Sequence, residues 1–561
     1  MRGHHAEQAG HDGSPPLTAR RRAWARRLLV ALTRPPLRHL RAGYLDPAGT
    51  ALAAGAATPL VFLPAHRSYL DTLVLDRALR EAGPLRPWRL AGANLGFWPL
   101  GPIGRRSGMI FIRREFGADH RYHAAVRAAL AGLLARGQSL EWYPEAGRTR
   151  TGRIRPLRNG LPRILVGAYA DAAVQDVLVV PVSIVYDALP DIETVTAEDA
   201  GAAKPPEGVR ALIHYLRAGR VFGPRHAWIQ FAPPISLRAV TREAAGDWDA
   251  ARTLTRRVAE GLREATQVTA EALLALIFAA DGGAPLGAEE VVRQFAALLA
   301  FAAERRIPIV RPYSIAAACA GLVRTRVLER VGDGFAVVGG RERILAYHRN
   351  VVEHWFLPRA AAELVAGGAV TATRISTLLG YGGPGGDGGD GGQGGQSGHG
   401  AGFARRVERE LEALAEDGWE RQPFLLAPRL LDPVFSAYHE VALFPDAPTP
   451  SAELRGHALA LLAAQGLLGP DADATAKADF LRELAGLSAR LRVLALLDLG
   501  RHAGAEGPAR SAETAGVPGP CKTTEFPEAA EPPKPTQSTQ PTETPEPTET
   551  PETTGTADVR N

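Results

Sequence analysis

Residues 59–71 read PLVFLPAHRSYLD, an apolar run from Pro59 to Leu63 followed by His66-Arg67-Ser68-Tyr69-Leu70-Asp71. The run has the length and composition of a buried strand. Positions i and i+5 are not neighbours on an ideal helix, so His66 and Asp71 should meet at a strand-to-helix turn. The histidine then lies in the loop and the aspartate in the first helical turn, where negative charge is favoured. A neutral imidazole is suited to take a proton from an alcohol near pH 7, and a carboxylate on its other ring N–H fixes the tautomer. By itself the spacing also fits a turn histidine beside an aspartate at a helix start.

Outward from this turn, strand-like runs alternate with helical stretches from Tyr44 to about Leu237. Strands are predicted at Pro59 to Leu63, Met109 to Ile112, Leu140 to Tyr143, Val177 to Val185 and Ala227 to Phe231. Helices are predicted at Thr72 to Ala82, Tyr122 to Ala135, Pro162 to Ala170 and Gly208 to Leu216. This alternation predicts an α/β layer sandwich with a largely parallel sheet and a site at the strand ends. Beyond about residue 240 the apolar period is near 3.6, which predicts a mostly helical C-terminal region. The expected plan begins with a disordered and basic amphipathic segment over 1–43 and an α/β catalytic domain over 44–240. A helical region over 241–381, a Gly-rich linker over 382–402, more helices over 403–504 and a disordered Pro/Thr-rich tail over 505–561 follow. The GGDGG pieces of the linker lack the nonapeptide period of calcium-binding repeats.

Three further blocks share the α/β domain: MIFIRR at Met109 to Arg114, EWYPEAGRTRTGRIRPLRNGL at Glu141 to Leu161, and VVPVSIVYD at Val179 to Asp187. With the His66 block, in this order and spacing, they resemble the four motifs of the glycerol-3-phosphate acyltransferase family. Those motifs read approximately HRSYxDF, GxFFIRR, FxEGxRSRxGKxLxPKxGL and VPVSxxYE. The likeness covers residues 60 to 190. QVTAEALLAL (Gln267 to Leu276) and YHRNVVEHWFLP (Tyr347 to Pro358) look like segments that follow the catalytic domain in long bacterial and mitochondrial members. Shorter 1-acylglycerol-3-phosphate acyltransferases lack such an extension. The resemblance implies transfer of a long-chain acyl group to the sn-1 hydroxyl of glycerol 3-phosphate, the first step of phospholipid synthesis. The co-substrate would be acyl-CoA or acyl carrier protein, with no other cofactor.

Acyl transfer to an alcohol needs a base, a stabilised oxyanion and a grip on the acceptor. His66 is the candidate base and Asp71 its orienter. Direct attack by the alcohol needs no enzyme nucleophile; Ser68 lacks a glycine-flanked elbow and is assigned to turn capping or hydrogen bonding. Backbone N–H groups near the turn are the expected oxyanion donors. A phosphate monoester suits guanidinium forks, and Arg148 and Arg150 lie on a glycine-containing loop after a strand, with Arg113 and Arg114 ending another. In the family, matching arginines bind glycerol 3-phosphate; the alternative is that one of each pair makes an ion pair with Glu115 or Glu145. Glu145 and Gly147 belong to the third motif, where Ala146 replaces the family's glycine. A positive φ there would cost alanine about 1 kcal/mol or more. Pro181, inside VVPVSIVY, predicts an edge position or a bulge, and its family counterpart lies by the acyl-donor site. His120 and His123 lack zinc-ligand companions, and Gly147 to Arg153 is not a P-loop.

The 561 residues, 45% hydrophobic and 22% charged, suffice for two or three domains. Two cysteines, Cys319 and Cys521, offer no disulfide framework. A net charge of +5 does not by itself indicate a nucleic-acid protein. No signal-peptide pattern is visible, and the apolar stretches fall short of the about 20 residues that a spanning helix needs. The arginine-rich segment before Pro35 fits peripheral contact with an anionic bilayer at the cytoplasmic face of the cell membrane. Competing readings are dihydroxyacetone phosphate or 1-acylglycerol 3-phosphate as acceptor, or a catalytically silent membrane-associated lipid-binding protein.

Overall fold

The computed structural model describes residues 41–45, 58–83, 85–93, 100–113, 119–203, 226–279, 285–311 and 313–368. Shorter pieces follow, of which 397–418 and 478–487 are the longest, with 425–431 between them. The basic segment before residue 41, Arg114, the helix predicted at Gly208 to Leu216, most of the glycine run and the Pro/Thr tail lie outside the described residues.

Seven strands make the main sheet path. They are β1 (Arg41–Leu45), β2 (Leu60–Pro64), β3 (Trp88–Gly92), β4 (Met109–Ile112), β5 (Leu140–Glu141), β6 (Leu178–Tyr186) and β7 (His226–Phe231). The spatial order is β1-β7-β6-β2-β5-β3-β4, and β8 (Ile235–Ser236) pairs with β6 beside β7. All neighbours are parallel except β7 and β8, which run antiparallel to β6. The fold is the α/β sandwich with a largely parallel sheet that the alternation predicts. β2 is buried along its whole length because it is central and covered on both faces.

Alternate residues of β2 feed two cores, as a period of two requires. Val61 and Leu63 pack with α3 (His120–Leu134), α4 (Gly160–Ala172) and α7 (Asp247–Glu264). Leu60 and Phe62 pack with α1 (Asp71–Ala82), α5 (Ile192–Asp199) and the helices that follow residue 265. Between these runs lie α2 (Leu100–Ser107) and α6 (Leu237–Glu243). The later helices are α8 (Ala270–Phe278), α9 (Ala288–Glu304), α10 (Ile315–Arg324), α11 (Glu342–Ala366), α12 (Ser397–Asp417) and α13 (Ala427–Leu430). A hairpin of β9 (Leu328–Val331) and β10 (Gly334–Val337) interrupts them. The C-terminal helices thus supply one covering layer of the sheet, sharing a core with Val180, Val182 and Ile184 of β6. No helix among the described residues is long and apolar enough to cross a membrane.

Several expectations need correction. α12 begins at Ser397, inside the stretch read as linker up to residue 402. β1 begins at Arg41, before the boundary placed at residue 44. Pro181 is not on an edge: β6 lies between β2 and β7. β7 pairs with β6 over Val182–Tyr186 and β8 over Leu178–Val179, so Pro181 falls at the gap between them, where a missing N–H breaks no ladder on that side. Its carbonyl accepts from Ala232 N at 2.9 Å.

Candidate active site

Strand register brings the first and third motifs together. β2 and β5 pair with Val61 opposite Leu140 and Phe62 opposite Glu141, and the same offset carried forward sets His66 beside Glu145. The Glu145 carboxylate accepts from His66 N through Oε1 and from Arg155 N through Oε2, both at 2.8 Å. Thr149 N donates to the His66 carbonyl at 2.9 Å. Glu145, expected to bind substrate, has both oxygens on main-chain N–H groups and so ties the two loops together.

His66 Nδ1 lies 3.1 Å from Asp71 Oδ2. A carboxylate only accepts, so Nδ1 carries the proton and Nε2 is left as the proton acceptor. Asp71 is fully buried at the start of α1. Its Oδ2 also accepts from Arg67 N and Ser68 N at 2.8 Å, and its Oδ1 from Tyr186 Oη at 2.7 Å. These bonds hold the carboxylate in one orientation. They also engage two of the amides expected to serve an oxyanion, since Arg67 N and Ser68 N point at Asp71. Ser68 Oγ accepts from Leu70 N at 3.2 Å, a turn-stabilising contact.

The His66 side chain is 17% exposed, and its ring lies on that of Tyr143 with centroids 4.1 Å apart. Tyr143 is in turn held by Thr72, with Oη and Oγ1 2.6 Å apart. Burial pulls the His66 pKa below 6.5 against the opposing pull of Asp71, and the charges of Arg148 and Arg155 lower it further. The ring is therefore neutral at pH 7.

The arginines occupy different places. Arg148 is ion-paired through Nη1 with Asp191, the residue preceding α5, and its guanidinium stacks over Tyr69 at 4.1 Å. Its described counter-ion is thus Asp191 and not Glu145, and Glu115 lies outside the described residues. Arg150 lies 3.4 Å from Glu198 of α5. Arg113 pairs with Asp119 at 3.1 Å and stacks over Tyr122 at 4.6 Å, at the start of α3. Its described contacts do not reach the His66 loop, and Arg114 lies outside the described residues. Gly147 lies beside the Arg155 guanidinium, which a Cβ would displace. Ala146 adopts φ +54°, so alanine occupies a left-handed position that glycine would fill without strain. Pro181 is buried against Gly261 of α7.

Four contributors escape sequence reasoning. Tyr143, Tyr186 and Arg155 are described above; Arg67 is the fourth, buried with Nη1 donating to Ser183 Oγ at 3.1 Å and the Ile184 carbonyl at 3.0 Å. All four stand inside quoted motifs, which is their only signal.

A buried carboxylate that orients a partly open, neutral imidazole at the parallel strand ends defines an α/β domain of the acyltransferase class. Residues 49–185 match the acyltransferase family, and residues 196–377 match the glycerol-3-phosphate acyltransferase C-terminal region. The chain belongs to the glycerol-3-phosphate acyltransferase family. Among its relatives, a Mycobacterium tuberculosis protein described by name as acyltransferase plsB1 is 33% identical over 331 residues, 56% of this chain and 52% of the relative. Glycerol-3-phosphate acyltransferases of Haemophilus ducreyi and Histophilus somni are 28% and 29% identical, over 54% of this chain and 40% of each relative. The chain spans between two fifths and about half of the length of these relatives in the matched region.

Proposed function

We propose that this chain transfers a long-chain acyl group from an acyl thioester to the sn-1 hydroxyl of glycerol 3-phosphate. The observation that carries the reading is the His66–Asp71 pair, with Nδ1 committed to the carboxylate at 3.1 Å. Nε2 then accepts the hydroxyl proton as the alcohol oxygen attacks the thioester carbonyl. Collapse of the tetrahedral intermediate breaks the C–S bond, and the imidazolium returns the proton to the departing thiolate. Asp71 stabilises the transient imidazolium without being protonated. The names of the relatives support glycerol 3-phosphate as acceptor. The donor in this reading is acyl-CoA or acyl carrier protein, no further cofactor takes part, and the enzyme works peripherally at the cytoplasmic face of the cell membrane.

The test is an acceptor screen with purified protein, following thiol release from acyl-CoA with glycerol 3-phosphate, dihydroxyacetone phosphate or 1-acylglycerol 3-phosphate. Glycerol 3-phosphate should give the highest kcat/KM, with the acyl group on the terminal hydroxyl. Thiol release with none of the three would end the reading in favour of a silent lipid-binding protein.

A further inference from the structure

The third-motif loop is crowded with guanidinium groups, and three of its five, counted from Arg148 to Arg158, are already answered by carboxylates. Arg148 has Asp191, Arg150 has Glu198, and Arg153 has Glu353 of α11 at 2.5 and 2.8 Å. Arg155 differs. Its side chain has no ion pair or hydrogen bond among the described residues, yet it is only half-exposed. Arg158, the other guanidinium of the loop without an ion pair among the described residues, is exposed.

The main chain of Arg155 is tied to the catalytic turn. One Glu145 carboxylate accepts from both His66 N and Arg155 N, so two atoms of a single side chain fix the spacing between the two residues. The guanidinium folds back over Gly147, with Nη1 2.7 Å from where a Cβ would stand. Glycine at 147 therefore leaves room for that side chain to lie toward the loop. Its charge is also felt at the His66 ring. A half-buried cation without a counter-ion, next to a base, awaits an anion.

We infer that Arg155 is the guanidinium that takes the phosphate group of the acceptor, a residue beyond the arginines matched to the family's motifs. This rests on the reading of the site as one that acylates a phosphorylated alcohol. In glycerol 3-phosphate only the three-carbon backbone separates the phosphate from the reacting hydroxyl. A cation that binds the phosphate must therefore lie near His66, and Arg155 is tied there through the Glu145 carboxylate that both main-chain N–H groups share. Arg148 and Arg150 would have to leave their carboxylates to do the same.

The experiment compares wild type, Arg155→Gln and Arg155→Lys in steady-state kinetics, in pH profiles, and in calorimetric binding of glycerol 3-phosphate. Loss of charge-assisted hydrogen bonds should raise the acceptor KM and Kd about 10- to 100-fold while the acyl-CoA KM is unchanged. Arg155→Lys keeps the charge but not the fork, and should recover part of the loss; it also serves if the glutamine variant does not fold. A pH profile moved to higher pH with an unchanged acceptor KM would overturn the inference, because Arg155 would then only tune His66. A rise confined to the acyl-CoA KM would overturn it too, by assigning the cation to the thioester's own phosphates. If wild type binds glycerol 3-phosphate without acylating it, and Arg155→Gln abolishes that binding, the phosphate site stands while the proposed reaction falls.

Discussion

At the scale of single residues, the His66 ring is balanced between burial, which lowers its pKa below 6.5, and Asp71, which opposes that fall. The base works deprotonated, so the acid limb of kcat/KM should have its midpoint below pH 6.5. Asp71→Asn removes the opposing charge, so the limb moves to still lower pH while kcat falls by ~10²-fold or more as tautomer control is lost. His66→Ala should remove turnover with an unchanged melting temperature, and near-normal activity would rule out the base. An acid limb moving upward in Asp71→Asn would contradict the assigned electrostatics. Ala146 supplies a stability test that leaves the charged groups alone. At φ +54°, Ala146→Gly relieves left-handed strain and should stabilise by about 1 kcal/mol in denaturant unfolding, partly offset by the entropy of the freed unfolded chain.

At the scale of elements, α11 braces the loop that carries the arginines. Asn350 Nδ2 donates to the Thr151 carbonyl at 3.0 Å, and Glu353 holds Arg153. Between them Gly152, at φ +89°, lies against the Tyr347 carbonyl, where a Cβ would collide with backbone. Gly152→Ala should therefore destabilise by about 2–4 kcal/mol, combining backbone strain and overpacking, read as a lower denaturation midpoint. An unchanged midpoint would mean that α11 yields and is no brace. This contact explains what could and could not be read in advance. The apolar runs of β2 and β6 announced themselves because strands covered on both faces are hydrophobic throughout. β3 did not, since WRLAG is buried only at Leu90 and its Arg89 pairs inside the sheet with Glu141 at 2.8 and 2.9 Å. The His66–Asp71 pair was legible because five residues separate its members. The clamp joins residues about 200 positions apart, and the Tyr186–Asp71 bond spans 115; no local pattern encodes either. YHRNVVEHWFLP could be matched to a family, but the reason for its Asn350 and Glu353 lies in the loop they hold.

At the scale of the whole molecule, the catalytic sheet and the C-terminal helices meet along a buried seam that contains titratable groups. Glu271, in the first turn of α8, faces Asp187 at the end of β6, which itself contacts His226 of β7 with Oδ2 and Nδ1 3.2 Å apart. Burial, and then the Asp187 charge, push the Glu271 carboxyl from 4.5 up to about 7. A folded pKa above the unfolded one favours the protonated group. Its contribution to stability is therefore fully present below pH 4.5 and is lost as pH rises through about 7. Glu271→Gln cannot ionise and removes that loss. Relative to wild type, the variant should gain on the order of 3 kcal/mol between pH 4.5 and pH 7, with the gain levelling off above the folded pKa. Two α11 histidines act with the opposite sign in both proteins. Burial lowers His348 to about 4 and His354 to about 3, so their contribution is present above pH 6.5 and lost as pH falls. Because both proteins share that acid loss, the difference between their denaturant unfolding energies isolates Glu271. A difference that stays constant across this range would mean that the carboxyl is ionised in the folded state, and that the seam between sheet and helices is wet rather than closed.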